Sequence, residues 1–152
     1  MIEFAVEDGL DGAWDQSHIE DVVRNIVHAE RGDGDFSIGL HLVGDETIRA
    51  LNHEHRSKDV RTDVLSFPLH DANGADFVLP PDQPPYLGDV VVSYPRAVAQ
   101  ALEFGHSIER EVAYLVAHGV LHVLGFDHEV PDEQRVMRLK EEEALAPLGL
   151  TR

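Results

Sequence analysis

Four short stretches carry the apolar patterns of strands. In residues 2–6 the large apolar side chains are Ile, Phe and Val at alternate positions, and in residues 36–42 they are Phe, Ile, Leu and Leu. A period of two indicates a strand with one buried face. Residues 64–67 and 87–94 hold apolar, β-branched runs, which are typical of more deeply buried strands. The pattern therefore predicts four strands, with Pro68 ending the third.

Two helices are predicted in the first half of the chain. Apolar residues recur at helical spacing over residues 17–31, and Ser17 and Glu20 form a capping box at the start of this segment. Asp45 is positioned to N-cap a shorter helix. We expect this second helix to end before Asn52.

The second half of the chain is predicted to be mainly helical. Residues 70–86 are rich in Pro, Gly and Asp and form a long loop before the fourth strand. Pro95 then begins a helix that includes residues 97–102. Two further helices follow, over residues 107–124 and 131–146.

The predicted order of elements is β, α, β, α, β, β, α, α, α. Strands concentrated early and helices concentrated late indicate an α+β fold. We expect one domain over residues 1–152, in which a mixed sheet of about four strands packs against about five helices.

Composition limits the chemistry that this fold can carry. The 152 residues include no cysteine, so metal ligands must be histidines or carboxylates and nothing indicates an oxidising compartment. No apolar run approaches the roughly 18 residues of a membrane span, and we expect a soluble, cytoplasmic protein. The formal net charge of −17 implies that an anionic partner needs a local basic patch.

The strongest candidate for chemistry lies near the end of the predicted helix 107–124. His118 and His122 are four residues apart and therefore project from one helical face. Gly125 can adopt the left-handed conformation that ends a helix, which would return His128 toward the same point. Three histidine nitrogens without thiolates suit one Zn²⁺ ion and leave a fourth position open for water or substrate. An open position indicates a catalytic metal that promotes hydrolysis.

Two features restrict which reaction such a metal would support. Metalloproteases with this ligand spacing carry a glutamate directly after the first histidine, and this chain has Gly119 there. Peptidase activity is therefore disfavoured. Arg56, Lys58 and Arg61 form the densest basic cluster of an acidic chain, so they are candidates for binding phosphoryl oxygens. On charge pattern alone, a solvated loop that balances nearby acidic residues explains this cluster equally well.

Three blocks of sequence resemble the YbeY family of metal-dependent endoribonucleases. Residues 118–128 run HGVLHVLGFDH and match the family pattern H-G-x-L-H-L-x-G-[YF]-D-H at all positions but Val123. Residues 52–68, NHEHRSKDVRTDVLSFP, are similar to the family stretch N-x-x-[YFH]-R-x-x-D-x-x-T-D-V-L-S-F-P. Residues 87–90, LGDV, are similar to its L-G-D-[IV] strand. The three blocks occur in the family's order.

The resemblance implies an α+β fold with a metal, usually zinc, at one end of a cleft. It implies His118, His122 and His128 as the metal ligands, and it assigns functional importance to Arg56 and His118. The implied activity is single-strand-directed cleavage of ribosomal RNA, in maturation of the small-subunit 3′ end and in ribosome quality control. The implied partners are ribosomal RNA and the small ribosomal subunit, with a ribosomal protein or an assembly GTPase delivering the substrate. No membrane or DNA partner is expected.

Several other residues receive weaker predictions. Asp63 and Asp127 are candidates to accept hydrogen bonds from imidazole N–H groups. The remaining predictions are that Thr62, Ser66 and Phe67 line the cleft or pack beneath it, that His53 and His55 are surface residues, and that Glu141, Glu142 and Glu143 form a solvated face.

Two other functions remain open at the level of sequence. The three-histidine site alone does not identify a substrate, so the protein could be a metal-dependent hydrolase of another phosphoester or of an amide. It could also be a ribosome-assembly factor without enzymatic activity, in which the metal only holds the helix to the following turn. In that case, removal of the metal should unfold the protein.

Overall fold

A computed structural model of the chain describes residues 2–7, 15–32, 34–56, 64–68, 86–126 and 131–149, with the backbone alone for residues 52–56, 68 and 148. Four strands and five α-helices lie within these ranges, in the predicted order. A short 3₁₀ turn, Ala146–Leu148, follows the last helix. The elements are β1 (Ile2–Val6), α1 (Gln16–Arg31), β2 (Ser37–Val43), α2 (Asp45–Arg56), β3 (Val64–Pro68), β4 (Tyr86–Ser93), α3 (Tyr94–Phe104), α4 (Ile108–Val123) and α5 (Pro131–Leu145).

The strands form one mixed sheet in the order β1-β2-β4-β3. β1 and β4 both pair in parallel with β2, while β3 pairs antiparallel with β4. Val90 of β4 lies opposite Leu40 on one side and Ser66 on the other, which places it near the centre of the sheet. The α+β class with a mixed four-stranded sheet is therefore confirmed.

One face of the sheet carries most of the hydrophobic core. Alternate side chains of β2 and β4 point to this face because strand residues alternate sides. Helices α1, α4 and α5 pack there, and α4 contacts β3, β4 and three other helices. Fully buried core residues include Leu40, Val90, Val116, Val120 and Leu121. Helix α4 therefore lies at the centre of the packing, directly against the sheet.

The opposite face is covered less completely by the residues described. Val43, Ile48, Leu65 and Val91 form a small second cluster there, with α2 contributing Ile48. Beside this cluster is an open cavity of about 550 Å³. Its lining consists of His41, Val43, Thr47, Leu51, Phe67, Asp89 and Val91.

Two predicted helix boundaries are wrong. α1 is N-capped by Asp15, whose carboxylate accepts from the backbone N–H of Ser17 at 2.9 Å and from its hydroxyl at 2.6 Å. Ser17 is therefore a donor inside the first turn and not the cap. α2 continues through Arg56, four residues past Asn52. Glu and Arg are good helix formers, and they extend the helix despite the weaker propensities of Asn and His.

The ends of two other elements can be compared with their predictions. β3 ends at Pro68 as predicted, and an edge strand of the described sheet tolerates this proline because no ladder hydrogen bond is needed on its outer side. Asp45 is the first helical residue of α2, and the Gly44 carbonyl accepts the first helical bond from Ile48 N–H at 3.2 Å. Of the helices that the structure describes, none has both the length and the apolarity to cross a bilayer.

Candidate metal centre

Helix α4 ends in a Schellman motif just beyond the two candidate ligands. Gly125 has a φ of 105°, the positive value predicted for it. Its N–H donates to the carbonyl of His122 at 3.0 Å, and the N–H of Phe126 donates to the carbonyl of Leu121 at 2.9 Å. These two bonds satisfy the last carbonyls of the helix and turn the chain sharply. The turn directs the chain toward residues 127–130, which lie outside the described residues.

The two histidines of α4 face each other as the spacing predicts. The Nε2 atoms of His118 and His122 are 3.2 Å apart, and the ring centroids are 4.7 Å apart at an interplanar angle of 75°. Two nitrogen ligands of one tetrahedral Zn²⁺, each at about 2.0–2.1 Å, are roughly 3.3–3.4 Å apart. The observed separation is therefore close to that of two ligands of a single ion.

A buried carboxylate contacts the other side of His118. Oε2 of Glu141 lies 2.7 Å from Nδ1 of His118, and the Glu141 side chain is only 3% exposed. The prediction that Glu141 belongs to a solvated face is wrong. Met137, Glu141, Ala144 and Leu145 share the buried side of α5, at offsets of four, seven and eight residues. The helical period of the apolar residues around Glu141 would have located it, whereas the run of three glutamates suggested exposure.

Gly119 explains how α4 approaches the sheet so closely. A Cβ at this position would overlap Cγ1 of Val90 and lie 3.1 Å from Cγ2 of Val64. The hydroxyl of Ser66 donates to the Gly119 carbonyl at 3.0 Å. The position after His118 therefore faces the sheet, and a glutamate there would clash with β3 and β4. Ser66 is buried and bonds to the backbone of α4 directly after His118, and its predicted place in or beneath the cleft stays a prediction.

Several predicted site residues lie beyond what the structure describes. His128, Asp63, Asp127, Thr62, Lys58 and Arg61 fall outside the described residues. Arg56 is the last residue of α2, and its side chain, like those of His53 and His55, is not among those described. The structure thus brings together two of the three predicted ligands, and the roles of His128 and Arg56 stay predictions. The same holds for the placement of the metal at the end of a cleft.

A second histidine–carboxylate contact lies on the opposite face of the sheet. Nε2 of His41 is 3.0 Å from Oδ1 of Asp89, and the hydroxyl of Tyr86 donates to the same oxygen at 2.6 Å. Burial, together with this hydrogen bond, raises the pKa of Tyr86 well above its ordinary value. Phe67 lines the cavity beside this group, so it packs away from the two histidines of α4. No pattern in the sequence predicted this contact, although Asp89 lies in the LGDV block.

Comparison with known proteins identifies relatives over almost the whole length. The model of the family described as endoribonuclease YbeY matches residues 6–149. Endoribonuclease YbeY of Roseiflexus sp. (strain RS-1) is 48% identical over 139 residues, covering 91% of this chain and 86% of the relative. The protein of the same name from Chloroflexus aurantiacus is 43% identical over 152 residues, covering 99% and 97% respectively.

A solved structure agrees with this result. The solution structure of TM1509 from Thermotoga maritima superposes with a TM-score of 0.62 at 27% sequence identity, covering 98% of this chain and 92% of that one. Fold, family model and full-length relatives agree, and the chain belongs to the endoribonuclease YbeY family.

Proposed function

We propose that the protein is a zinc-dependent, single-strand-directed endoribonuclease that matures the 3′ end of small-subunit ribosomal RNA and acts in ribosome quality control. As a member of its family, the chain is an enzyme that hydrolyses phosphodiester bonds. The observation that carries the proposal is the convergence of the His118 and His122 Nε2 atoms at 3.2 Å, backed by the buried carboxylate of Glu141.

The chemistry of the donor set supports zinc. His118 and His122 present imidazole nitrogens as ligands, and His128 would complete a set of three that leaves one position open. Zn²⁺ held there would supply a Lewis acid and a bound water of lowered pKa for hydrolysis. Within the described part of the chain, Glu141 contributes negative charge next to His118 without occupying a ligand position itself.

We assign Arg56 to the scissile phosphate. A chain with a net charge of −17 repels RNA as a whole, so binding depends on local cations. Arg56 lies at the end of α2 and opens the densest basic cluster of the sequence. A guanidinium group there would neutralise charge that develops on the phosphoryl oxygens during cleavage.

The same charge argument supports assisted delivery of the substrate. We propose that the small ribosomal subunit is the partner and that a ribosomal protein or an assembly GTPase brings the RNA 3′ end to the site. Direct contact of this acidic protein with RNA would otherwise be limited to the region of Arg56. Because bacterial ribosomes are assembled in the cytoplasm, we place the activity there.

Metal removal tests the zinc-dependent activity. We expect the purified protein to cleave a single-stranded RNA with the sequence of the small-subunit 3′ end, to lose this activity on chelation, and to regain it when zinc is added back. Circular dichroism should show the same helix content before and after chelation. Cleavage that persists in chelator would contradict zinc dependence. Unfolding on chelation would instead favour a metal that only holds the structure together.

A charge reversal tests the role of Arg56. We expect Arg56→Glu to reduce cleavage by about a hundredfold or more, because a cation that stabilises transition-state charge is replaced by an anion. Arg24→Glu is the matched control, since it makes the same change in net charge on the exposed surface of α1, where Arg24 pairs with Asp21 at 2.7 Å. Equal cleavage by wild type and Arg56→Glu would contradict the assignment.

A further inference from the structure

We propose that Glu141 is a positioning residue, which holds His118 in the tautomer that carries its proton on Nδ1. In this tautomer the unprotonated Nε2 is the nitrogen that would bind a metal ion. The inference rests on the zinc site of the proposed function and extends it to a residue of α5. It follows from the two contacts of one ring: Nδ1 to Glu141 at 2.7 Å, and Nε2 to His122 at 3.2 Å.

Hydrogen-bond chemistry selects the tautomer. We take Glu141 as an ionised carboxylate, which only accepts hydrogen bonds, so that Nδ1 of His118 is the donor in the contact with Oε2 of Glu141. A neutral imidazole with its proton on Nδ1 has a free lone pair on Nε2. The opposite tautomer would place two lone pairs against each other at 2.7 Å. It would also point an N–H group at the place where a metal ion has to bind.

Burial makes this contact specific to Glu141. At 3% exposure the side chain is shielded from bulk water, so an uncompensated negative charge there would be costly. The neighbouring residues on the buried side of α5, Met137 and Ala144, are 2% and 4% exposed, which fixes the helix in place. Tyr114 also stacks on a face of the His118 ring, with the ring centroids 6.4 Å apart. The imidazole is thus oriented by a rigid helix and a neighbouring aromatic ring.

The arrangement matches the chemistry of histidine ligands in general. A carboxylate that accepts from the far nitrogen of a metal-binding histidine fixes the ring and raises its basicity. The contact between His41 and Asp89 differs from this arrangement, because both side chains are more than a third exposed and the Asp89 oxygen also accepts from Tyr86. In the described part of the chain, only His118 combines a buried carboxylate on one nitrogen with a second imidazole facing the other.

The tautomer can be measured in the unmodified protein. In metal-free wild type at about pH 9, where an ordinary histidine is neutral, ¹⁵N NMR of the imidazole nitrogens distinguishes Nδ1–H from Nε2–H. We expect His118 to be in the Nδ1–H form and to lose that preference in Glu141→Met. A wild-type His118 with its proton on Nε2 would overturn the proposal without any variant.

Zinc affinity gives a second readout, measured by competition with a chromogenic chelator. We expect Glu141→Met to bind zinc about 10- to 100-fold more weakly than wild type. Its metal-free melting temperature should fall, because the Nδ1–H of His118 loses its acceptor while methionine fills the space of the glutamate. The control is Glu143→Met, at an exposed position of the same helix, which should change neither quantity.

The outcomes separate this inference from the proposed function. A folded Glu141→Met that binds zinc as tightly as wild type would overturn the role of Glu141. Neither measurement uses RNA, so a failure to cleave RNA would refute the proposed activity and leave the positioning role intact. If the wild type did not bind zinc, the zinc site would be refuted, and the role of Glu141 toward a metal would be refuted with it.

Discussion

The two faces of the sheet each carry a histidine in contact with a carboxylate, but the surroundings of the two contacts differ. On the face packed by α4 and α5, Glu141 is 3% exposed and His118 is 22% exposed. On the opposite face, His41 and Asp89 are 38% and 36% exposed and border an open cavity of about 550 Å³. The same pair of functional groups is therefore held tightly on one face and loosely on the other.

The difference shows why one contact suits a metal site and the other does not. Surrounding helices fix the position of Glu141, so its carboxylate can orient an imidazole without help from solvent. Exposed ion pairs contribute little, because water screens the charges and both side chains lose freedom when they pair. Burial, rather than the presence of a histidine and a carboxylate, distinguishes the candidate metal centre.

Removal of each histidine should give the largest contrast. We expect His118→Ala to lose bound zinc and to reduce RNA cleavage by about a thousandfold or more, since the Lewis acid contributes several kcal/mol of transition-state stabilisation. His41→Ala, on the open face, should retain zinc and cleave RNA within about twofold of wild type. Elemental analysis of the purified variants and the RNA cleavage assay provide the two measurements.

This comparison fails if the two variants behave alike. If His118→Ala retained as much zinc as His41→Ala and wild type, the facing imidazoles of α4 would not hold the ion. A loss of cleavage in both, with zinc retained in His41→Ala, would place the open face in the reaction as well. Circular dichroism of each variant confirms that the comparison is between folded proteins.

Substitutions that add one carbon on each face of the sheet should give a smaller difference, in stability rather than in activity. Gly119→Ala places a methyl group against Val90 and Val64, and we expect it to lower the free energy of unfolding by about 1–3 kcal/mol. Val43→Ile adds one carbon beside the cavity and should change that free energy by less than about 0.5 kcal/mol. Urea unfolding measures both. Equal destabilisation would mean that the open face is packed as tightly as the face beneath α4.

The order of elements could be predicted because each depends on a local pattern. Alternation in residues 36–42 and helical spacing in residues 17–31 are visible without tertiary information. The predicted N-cap of α1 was wrong because Asp15 and Ser17 are both good capping residues. Which of them caps the helix depends on backbone geometry. The predicted end of α2 was wrong because helix propensity is only a weak guide to the residue at which a helix ends.

The candidate site was predicted only as far as one helix determines it. His118 and His122 share a face of α4 because of their spacing, and Gly125 ends the helix as a left-handed residue. Glu141 was missed because it comes from another helix, 23 positions along the chain. A glutamate in an acidic run is normally solvated, and the packing of α5 against α1 and α4 makes this one buried.

A third histidine–carboxylate contact should give the smallest effect on stability. It tests whether burial decides which of these contacts supports the metal site. His18 and Glu109 are 2.7 Å apart and lie on the packed side of the sheet, but His18 is 45% exposed. The hydrogen bond that Nδ1–H of His18 donates to Glu109 raises the pKa of His18 above its ordinary value of 6.5. Because the folded pKa is the higher one, the stabilisation is complete below about pH 6.5 and is lost as pH rises through the folded pKa.

The variant Glu109→Gln should therefore lower the pKa of His18, measured by NMR titration, and leave zinc affinity unchanged. The wild type should exceed this variant in free energy of unfolding by more at about pH 5.5 than at about pH 8.5, because only the protonated imidazole gains from the carboxylate. If the difference in free energy of unfolding between wild type and Glu109→Gln increased with pH, the protonated form of His18 would not be the stabilised one. A loss of zinc affinity would mean that an exposed contact supports the metal site, which would contradict the conclusion that burial sets Glu141 apart.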